Sequence, residues 1–151
     1  MTLAADQPVL FHIRSTPSHL PIVRAAIEKA CRLIGFDEAA SGAVVLSVDE
    51  ALTNIIRHAY NNAADQPIEI ELSVTGPPGQ EVLQISLRDH GTYVEPEEIK
   101  SRDLADVRPG GLGVHIMKEC MDHVEYRQAD GGGTLLVLRK SIPSRQGSKK
   151  A

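Results

Sequence analysis

DEALTNIIRHAY, residues 49–60, is the stretch on which the reading of this chain turns. Glu50, Asn54 and His58 recur at four-residue spacing, while Val48, Leu52, Ile55 and Ala59 fall on the other side of one helix. At ~100° per residue, Glu50 and Asn54 lie ~40° apart and roughly opposite the apolar stripe, on a face shared with Arg57. Two readings are open: the wet side of an ordinary amphipathic helix, or a face that holds a ligand. Asn54 argues for the second, because Asn is a poor helix-interior residue and is normally spent at caps.

Upstream of this helix, residues 9–15, VLFHIRS, alternate as a strand. A helical pattern follows through Leu20, Val23, Ile27, Ala30, Cys31 and Ile34 and ends at Gly35. Asp37 is the expected N-cap of the next helix, which runs to about Tyr60 and stops at Asn61 and Asn62. Downstream, IEIELSV (68–74) and EVLQISLRD (81–89) flank the turn GPPGQ as an antiparallel hairpin. Strict alternation puts Leu83, Ile85, Leu87 and Asp89 on one side, so one face packs on helices while the other is partly solvated.

From His90 to Arg108 the periodicity breaks down, as expected of a functional loop or lid. GGLGVHIMKECMD then places glycines before a helix with Val114, Met117, Cys120 and Met121 along one side. VEYRQ, a GGG turn and TLLVLRK close the chain as a second hairpin. The sum is an α+β domain: a two-layer sandwich of about five mostly antiparallel strands, in a mixed sheet, with about three helices on one face.

The 151 residues suffice for one domain with a real core. Hydrophobic content of 42% with 24% charge is ordinary for a soluble protein, and no apolar run is expected to span a membrane. The N-terminus shows no secretion signal, so a cytoplasmic protein is expected. Net charge of −4 argues against a nucleic-acid surface, since phosphate binding needs concentrated Lys and Arg. Cys31 and Cys120 read as buried thiols, and the histidines lack metal-ligand spacing.

Three further motifs carry chemistry. Glycines before a helix permit close backbone approach and offer free amides to a phosphate. In RDHG, Asp89 stands where a strand ends, and a carboxylate there can accept from an exocyclic amine such as adenine provides. In GGGT, Thr134 opens the last strand. Each also has a plain structural reading as turn chemistry.

DEALTN, RDHG, GGLGVHIMKECMD and GGGT, in this order and at these separations, resemble the ATP-binding domain of the GHKL ATPases, which use the Bergerat fold. The small size and the run MDHVEY are most similar to the bacterial anti-sigma-factor serine kinases. The resemblance covers about residues 9–141, leaving 1–8 as a flexible start and 142–151 as a disordered basic tail. It implies Glu50 as general base or as the residue that orients the nucleophile, Asn54 as the Mg2+ ligand, and Asp89 as reader of the adenine amino group, with Gly91 and Thr134 completing the base pocket. Gly111, Leu112 and Gly113 correspond to the phosphate-contacting turn, with Gly110 and Val114 on either side of it. Arg57 and His58 extend the Glu50 and Asn54 face toward the nucleotide. The family pattern D-x-G-x-G is broken at Tyr93, which is expected to stack near the base or to plug the site.

The implied function is a Mg2+/ATP-dependent protein serine kinase and anti-sigma factor of a partner-switching pathway. Its partners would be a sigma factor and a STAS-type anti-anti-sigma protein, with a homodimer implied by the family and no nucleic acid or membrane involved. Tyr93 motivates the alternative of an ATP-gated or nucleotide-free adaptor that sequesters a regulatory protein. The catalytic domain of a histidine kinase is a third possibility.

Overall fold

The alternating segments become one sheet. Strands β1 (Val9–Arg14), β2 (Pro67–Thr75), β3 (Val82–Asp89), β4 (His123–Gln128) and β5 (Thr134–Ser141) pair in the order β1-β2-β3-β5-β4. Every pair is antiparallel, so the mixed sheet expected from the sequence has no parallel pair among the described residues. The computed structural model that gives this topology describes residues 7–93 and 113–143. The lid stretch after Tyr93, Gly110, Gly111, Leu112 and most of the basic tail therefore lie outside the described residues.

One face of the sheet carries Ile68, Ile70, Leu72, Leu83, Ile85, Leu87 and Leu138, each no more than 1% exposed. Three helices cover it: α1 (His19–Ile34), α2 (Glu38–Asn54) and α3 (Gly113–Cys120). Val23, Ile27 and Cys31 of α1, Val44, Val48 and Leu52 of α2, and Met117 of α3 complete the core. At about 1.5–3 kcal/mol per fully buried large side chain, this single layer of contacts is the main favourable term in the fold. Burial pushes the Cys31 thiol up to about 11, while Cys120 is only half-buried.

Helix ends follow the chemistry of the sequence. The Asp37 side chain accepts from the Ala40 amide at 2.8 Å, capping α2. At Gly35 the chain turns left-handed, and the Gly35 and Phe36 amides close on the Cys31 carbonyl.

Helix α2 is the central helix, packed between α1 and α3 and against the sheet. Within Glu38–Ala59, which joins α2 to the turn that follows it, an 18-residue window reaches a mean hydropathy of 1.3, long and apolar enough by length and composition to cross a membrane. A buried core helix meets the same test. The reason lies in packing, because a helix with neighbours on several sides is apolar on several sides.

The sequence also placed an unbroken α-helix to about Tyr60. Instead α2 gives way at Ile55–Ala59 to a π-helical turn, in which the Tyr60 amide reaches the Ile55 carbonyl at 3.0 Å. Asn61 and Asn62, at φ of 51° and 65°, then reverse the chain.

The end of this turn is locked to the sheet. The Tyr60 hydroxyl donates to the Pro67 carbonyl at 2.6 Å and accepts from the His90 amide at 2.7 Å. The Thr92 amide donates to the Ala59 carbonyl at 2.9 Å. Gly91 lies between these two bonds, where a Cβ would run into the Ala59 carbonyl and the Tyr60 ring. Gly91→Ala should therefore lower the stability of the unliganded protein by about 1–3 kcal/mol. Urea unfolding checks this: the midpoint falls while the slope stays constant, and an unchanged midpoint would show that the joint tolerates a side chain.

Candidate functional site

A cleft opens where the central helix ends over the sheet. It is open to solvent on one side, has free room of about 20 Å³, and is lined by Ala51, Asn54, Ile55, His58, Ala59, Leu87, Asp89, Thr92, Tyr126, Thr134 and Leu136. The register explains the assembly. Leu87 faces Leu136, and Leu136 faces Tyr126, so β3, β5 and β4 give one cross-strand row to the floor. Asp89 and Thr134 stand one step beyond it, at the end of β3 and the start of β5.

Asp89 is 1% exposed. Its Oδ1 accepts from the Gly91 amide at 3.0 Å and from the Thr134 amide at 3.3 Å, so neither amide is committed to Oδ2. Burial raises the Asp89 carboxyl above its ordinary value, and the two amides oppose that shift only in part. Gly133, at φ +80°, brings the β4–β5 turn against the Asp89 carbonyl where a Cβ would collide with it. On the far side, the Arg88 guanidinium donates to the carbonyls of Asp130 at 2.9 Å and Gly132 at 3.1 Å, holding the same turn. The carboxylate is thus fixed by backbone on both sides, with a glycine at each close approach.

The helix side of the cleft departs from expectation. Asn54 was placed on a polar face opposite the apolar stripe, yet it is 4% exposed, and His58 is 6% exposed. The amphipathic reading fails because Ala51, Leu52 and Ile55 surround Asn54 with apolar neighbours that are also buried. Both amide atoms of Asn54 are buried with no hydrogen-bond partner among the described residues, and so is the Tyr126 hydroxyl. The Asn54 amide lies close enough to the phenol to act on its ionisation, yet the two meet in no hydrogen bond of ordinary geometry. Burial pushes the Tyr126 hydroxyl up to about 12, so it stays protonated.

These orphaned atoms test whether the site fits a nucleotide and a metal. A buried polar group left unpaired costs about 1–3 kcal/mol, and the cleft concentrates three such atoms in one place. A polar ligand of matching pattern would satisfy them, and Mg2+ typically takes one or two protein oxygens beside phosphate and water. The residues present fit.

The structure brings together Asn54, His58, Asp89 and Thr134 of the expected set. Glu50 and Arg57 lie on neighbouring turns, half-buried and outside the lining. Tyr93 is half-buried and also outside the lining, where Thr92 takes the place expected of it. Val114, 3% exposed, belongs to the core rather than to the cleft. Gly113 begins α3, while Gly110, Gly111 and Leu112 fall outside the described residues.

Two polar cleft residues, Thr92 and Tyr126, were missed. Tyr126 was legible in principle, because the alternation of VEYRQ puts it on the same side as Val124. Thr92 follows the last strand residue and gave no periodic signal.

Residues 13–140 match the model of the histidine kinase-like ATPase domain. The chain belongs to this family. Membership of this family implies that the domain uses ATP. The serine/threonine-protein kinase BtrW of Bordetella bronchiseptica is 30% identical over 104 residues, 66% of this chain and 70% of that protein. The serine-protein kinase RsbW of Listeria innocua is 24% identical over 151 residues, 95% of this chain and 92% of that protein. An anti-sigma F factor of Clostridium beijerinckii is 31% identical over 103 residues, 66% of this chain and 69% of that protein. The resemblance to anti-sigma serine kinases drawn from the four motifs is borne out by these relatives. Among solved structures, the RsbU and RsbW domains of a Mycobacterium tuberculosis protein share the fold, with TM-score 0.64 and 18% identity. That match covers 92% of this chain and 34% of the other.

Asp89 holds its proton more tightly folded than unfolded, so stability is lost as pH rises through its raised native pKa. Asp89→Asn keeps an acceptor for both amides and removes the buried charge. The unliganded variant should melt at or above the parent at neutral pH, and this advantage should shrink as pH falls through the raised value. Thermal melts across acid to neutral pH measure it, and a variant several degrees less stable at neutral pH would show that the charge itself holds the strand ends.

Proposed function

We propose that the protein is a Mg2+/ATP-dependent protein serine kinase that also holds a sigma factor in a cytoplasmic partner-switching pathway, phosphorylating a STAS-type anti-anti-sigma antagonist. The observation that carries this reading is the convergence of Asn54 and Asp89 on one cleft, in a chain whose relatives are named as serine kinases and as an anti-sigma factor.

When bound, Mg2+ and ATP supply the transferable phosphoryl group and neutralise its charge. Asp89 accepts from the exocyclic amine of adenine through the oxygen that its two amides leave uncommitted. Thr134 borders that carboxylate, and Gly91 keeps the adjoining wall thin. Asn54 presents its amide oxygen to the metal. Glu50, one helical turn earlier and half-buried, receives the proton of the attacking Ser hydroxyl. His58, one turn further along and buried in the cleft wall, faces the nucleotide together with Asn54. The family resemblance assigns the phosphate end to Gly113 at the start of α3 and to Gly110, Gly111 and Leu112, which lie outside the described residues, with Arg57 and the Val114 backbone as their neighbours. Most of the rate enhancement then comes from positioning and charge stabilisation.

The adaptor alternative rested on Tyr93 plugging the site. Thr92 lines the cleft and Tyr93 does not, which favours the kinase.

Isothermal titration with ATP, with and without Mg2+, tests the assignment. Binding should strengthen with Mg2+ and weaken by about 10- to 100-fold in Asp89→Asn, the worth of a hydrogen bond to a charged group. Glu50→Ala should bind ATP within about twofold of the parent while losing about 10²- to 10⁴-fold in phosphoryl transfer to a STAS-type protein. Absence of ATP binding by the parent would overturn the kinase in favour of the adaptor. Full transfer by Glu50→Ala would remove the general-base role.

A further inference from the structure

The kinase reading gives Asn54 a metal to hold but does not say what keeps the correct end of its amide toward that metal. An amide presents an oxygen or two donors to the same space, depending on a rotation of half a turn. In a site built for a cation the second arrangement is repulsive, so an Asn that serves as ligand needs a partner that recognises its NH2 end. No described residue hydrogen-bonds either end of the Asn54 amide, although the side chain is buried and its helix is packed on both sides.

Tyr126 is the polar group placed to supply this partner. Its ring comes from β4, the edge strand of the sheet, paired through β5 with the cleft floor at Leu136. Its hydroxyl is buried, lines the same cleft as Asn54, and has no hydrogen-bond partner among the described residues. A strand that needed only an apolar residue at this position would be better served by Phe, which carries no orphaned hydroxyl. The apolar side of the ring is used by the core, against which it packs.

Resting on the kinase reading, we infer that Tyr126 is a positioning residue for the metal ligand: its phenol oxygen accepts from Asn54 Nδ2 when nucleotide and metal enter, turning Asn54 Oδ1 to the cation. The phenol proton remains available for a second bond, to ligand or to bound water. In the unliganded protein the pair is near contact without a bond, so the arrangement is completed by the ligand and contributes to its affinity. The energetic signature is coupling. Tyr126 acts on metal-assisted ATP binding, acts little on ATP without metal, and does not stabilise the empty protein.

Tyr126→Phe separates this role from a structural one. In titrations of the full chain, the strengthening of ATP binding by Mg2+ should fall about three- to tenfold, the range for one hydrogen bond, while affinity without Mg2+ stays within about twofold. The unliganded variant should melt at or above the parent temperature, because an unsatisfied hydroxyl has been removed. In an Asn54→Ala background the same change should have no further effect on the Mg2+ response. A Tyr126→Phe protein with the full Mg2+ response would overturn the inference and leave the kinase reading intact. A variant that melts lower and loses affinity equally with and without Mg2+ would assign Tyr126 to structure alone. A parent protein with no Mg2+ response would instead remove the reading on which the inference rests.

Discussion

The Tyr60 hydroxyl joins three parts of the chain that are distant in sequence. It donates to the carbonyl that begins β2 and accepts from the amide that follows β3, while its own backbone closes the π-helical turn after α2. A helix resting on a sheet through apolar contacts alone has considerable freedom to slide, because such contacts are non-directional. Two short hydrogen bonds at one buried oxygen remove that freedom at the end of the helix nearest the cleft. Burial raises the Tyr60 pKa, so the hydroxyl keeps the proton it needs in order to donate. Without this joint, Asn54 on the helix and Asp89 on the strand would have no fixed relation.

The wider turn matters for the same reason. In a continuous α-helix each carbonyl is taken by the amide four residues on, and the Ala59 carbonyl would be spent inside the helix if the helix continued. Ending at Ala59 leaves that carbonyl, like the last carbonyls of any helix, without an intrahelical partner; the Thr92 amide takes it, and the chain after β3 is drawn along the helix end. Gly91 makes the approach sterically possible. The sequence resemblance assigned Gly91 to the base pocket; the structure adds a backbone contact that accounts for the glycine before any ligand is considered. Both needs are served by one missing Cβ.

Much of this architecture is legible from residue order. Alternation in IEIELSV and EVLQISLRD gives the strands and puts Asp89 on the buried side, because a side chain at every second position has only two faces to choose between. The helix was harder. Periodicity presumes one wet face, and α2 has neighbours around most of its circumference, so Asn54 read as exposed when it is buried. The π turn has no signature in IIRHA, since it arises from what the end of the helix must meet. Tyr126 was overlooked because VEYRQ reads only as one strand of the closing hairpin, and its alternation does not say that the row it shares with Leu136 meets the end of α2.

Buried polar atoms without partners are the common thread of the cleft. Asn54 and Tyr126 each forgo hydrogen bonds that water would supply in the unfolded chain, and the protein tolerates this because the sheet and helices bury enough apolar surface elsewhere. In the cleft this deficit lies at the end of α2 and on the floor beneath it, whereas Asp89 nearby is held by two amides. The contrast divides the site into two parts. The Asp89 carboxylate is fully positioned without a ligand, so under the proposed function it would read a base without rearrangement. The Asn54 amide is left unsatisfied, so under the same proposal part of the binding energy of phosphate and metal would go to completing the site. A nucleotide confined to the native state stabilises that state by mass action, and here it would also relieve the deficit.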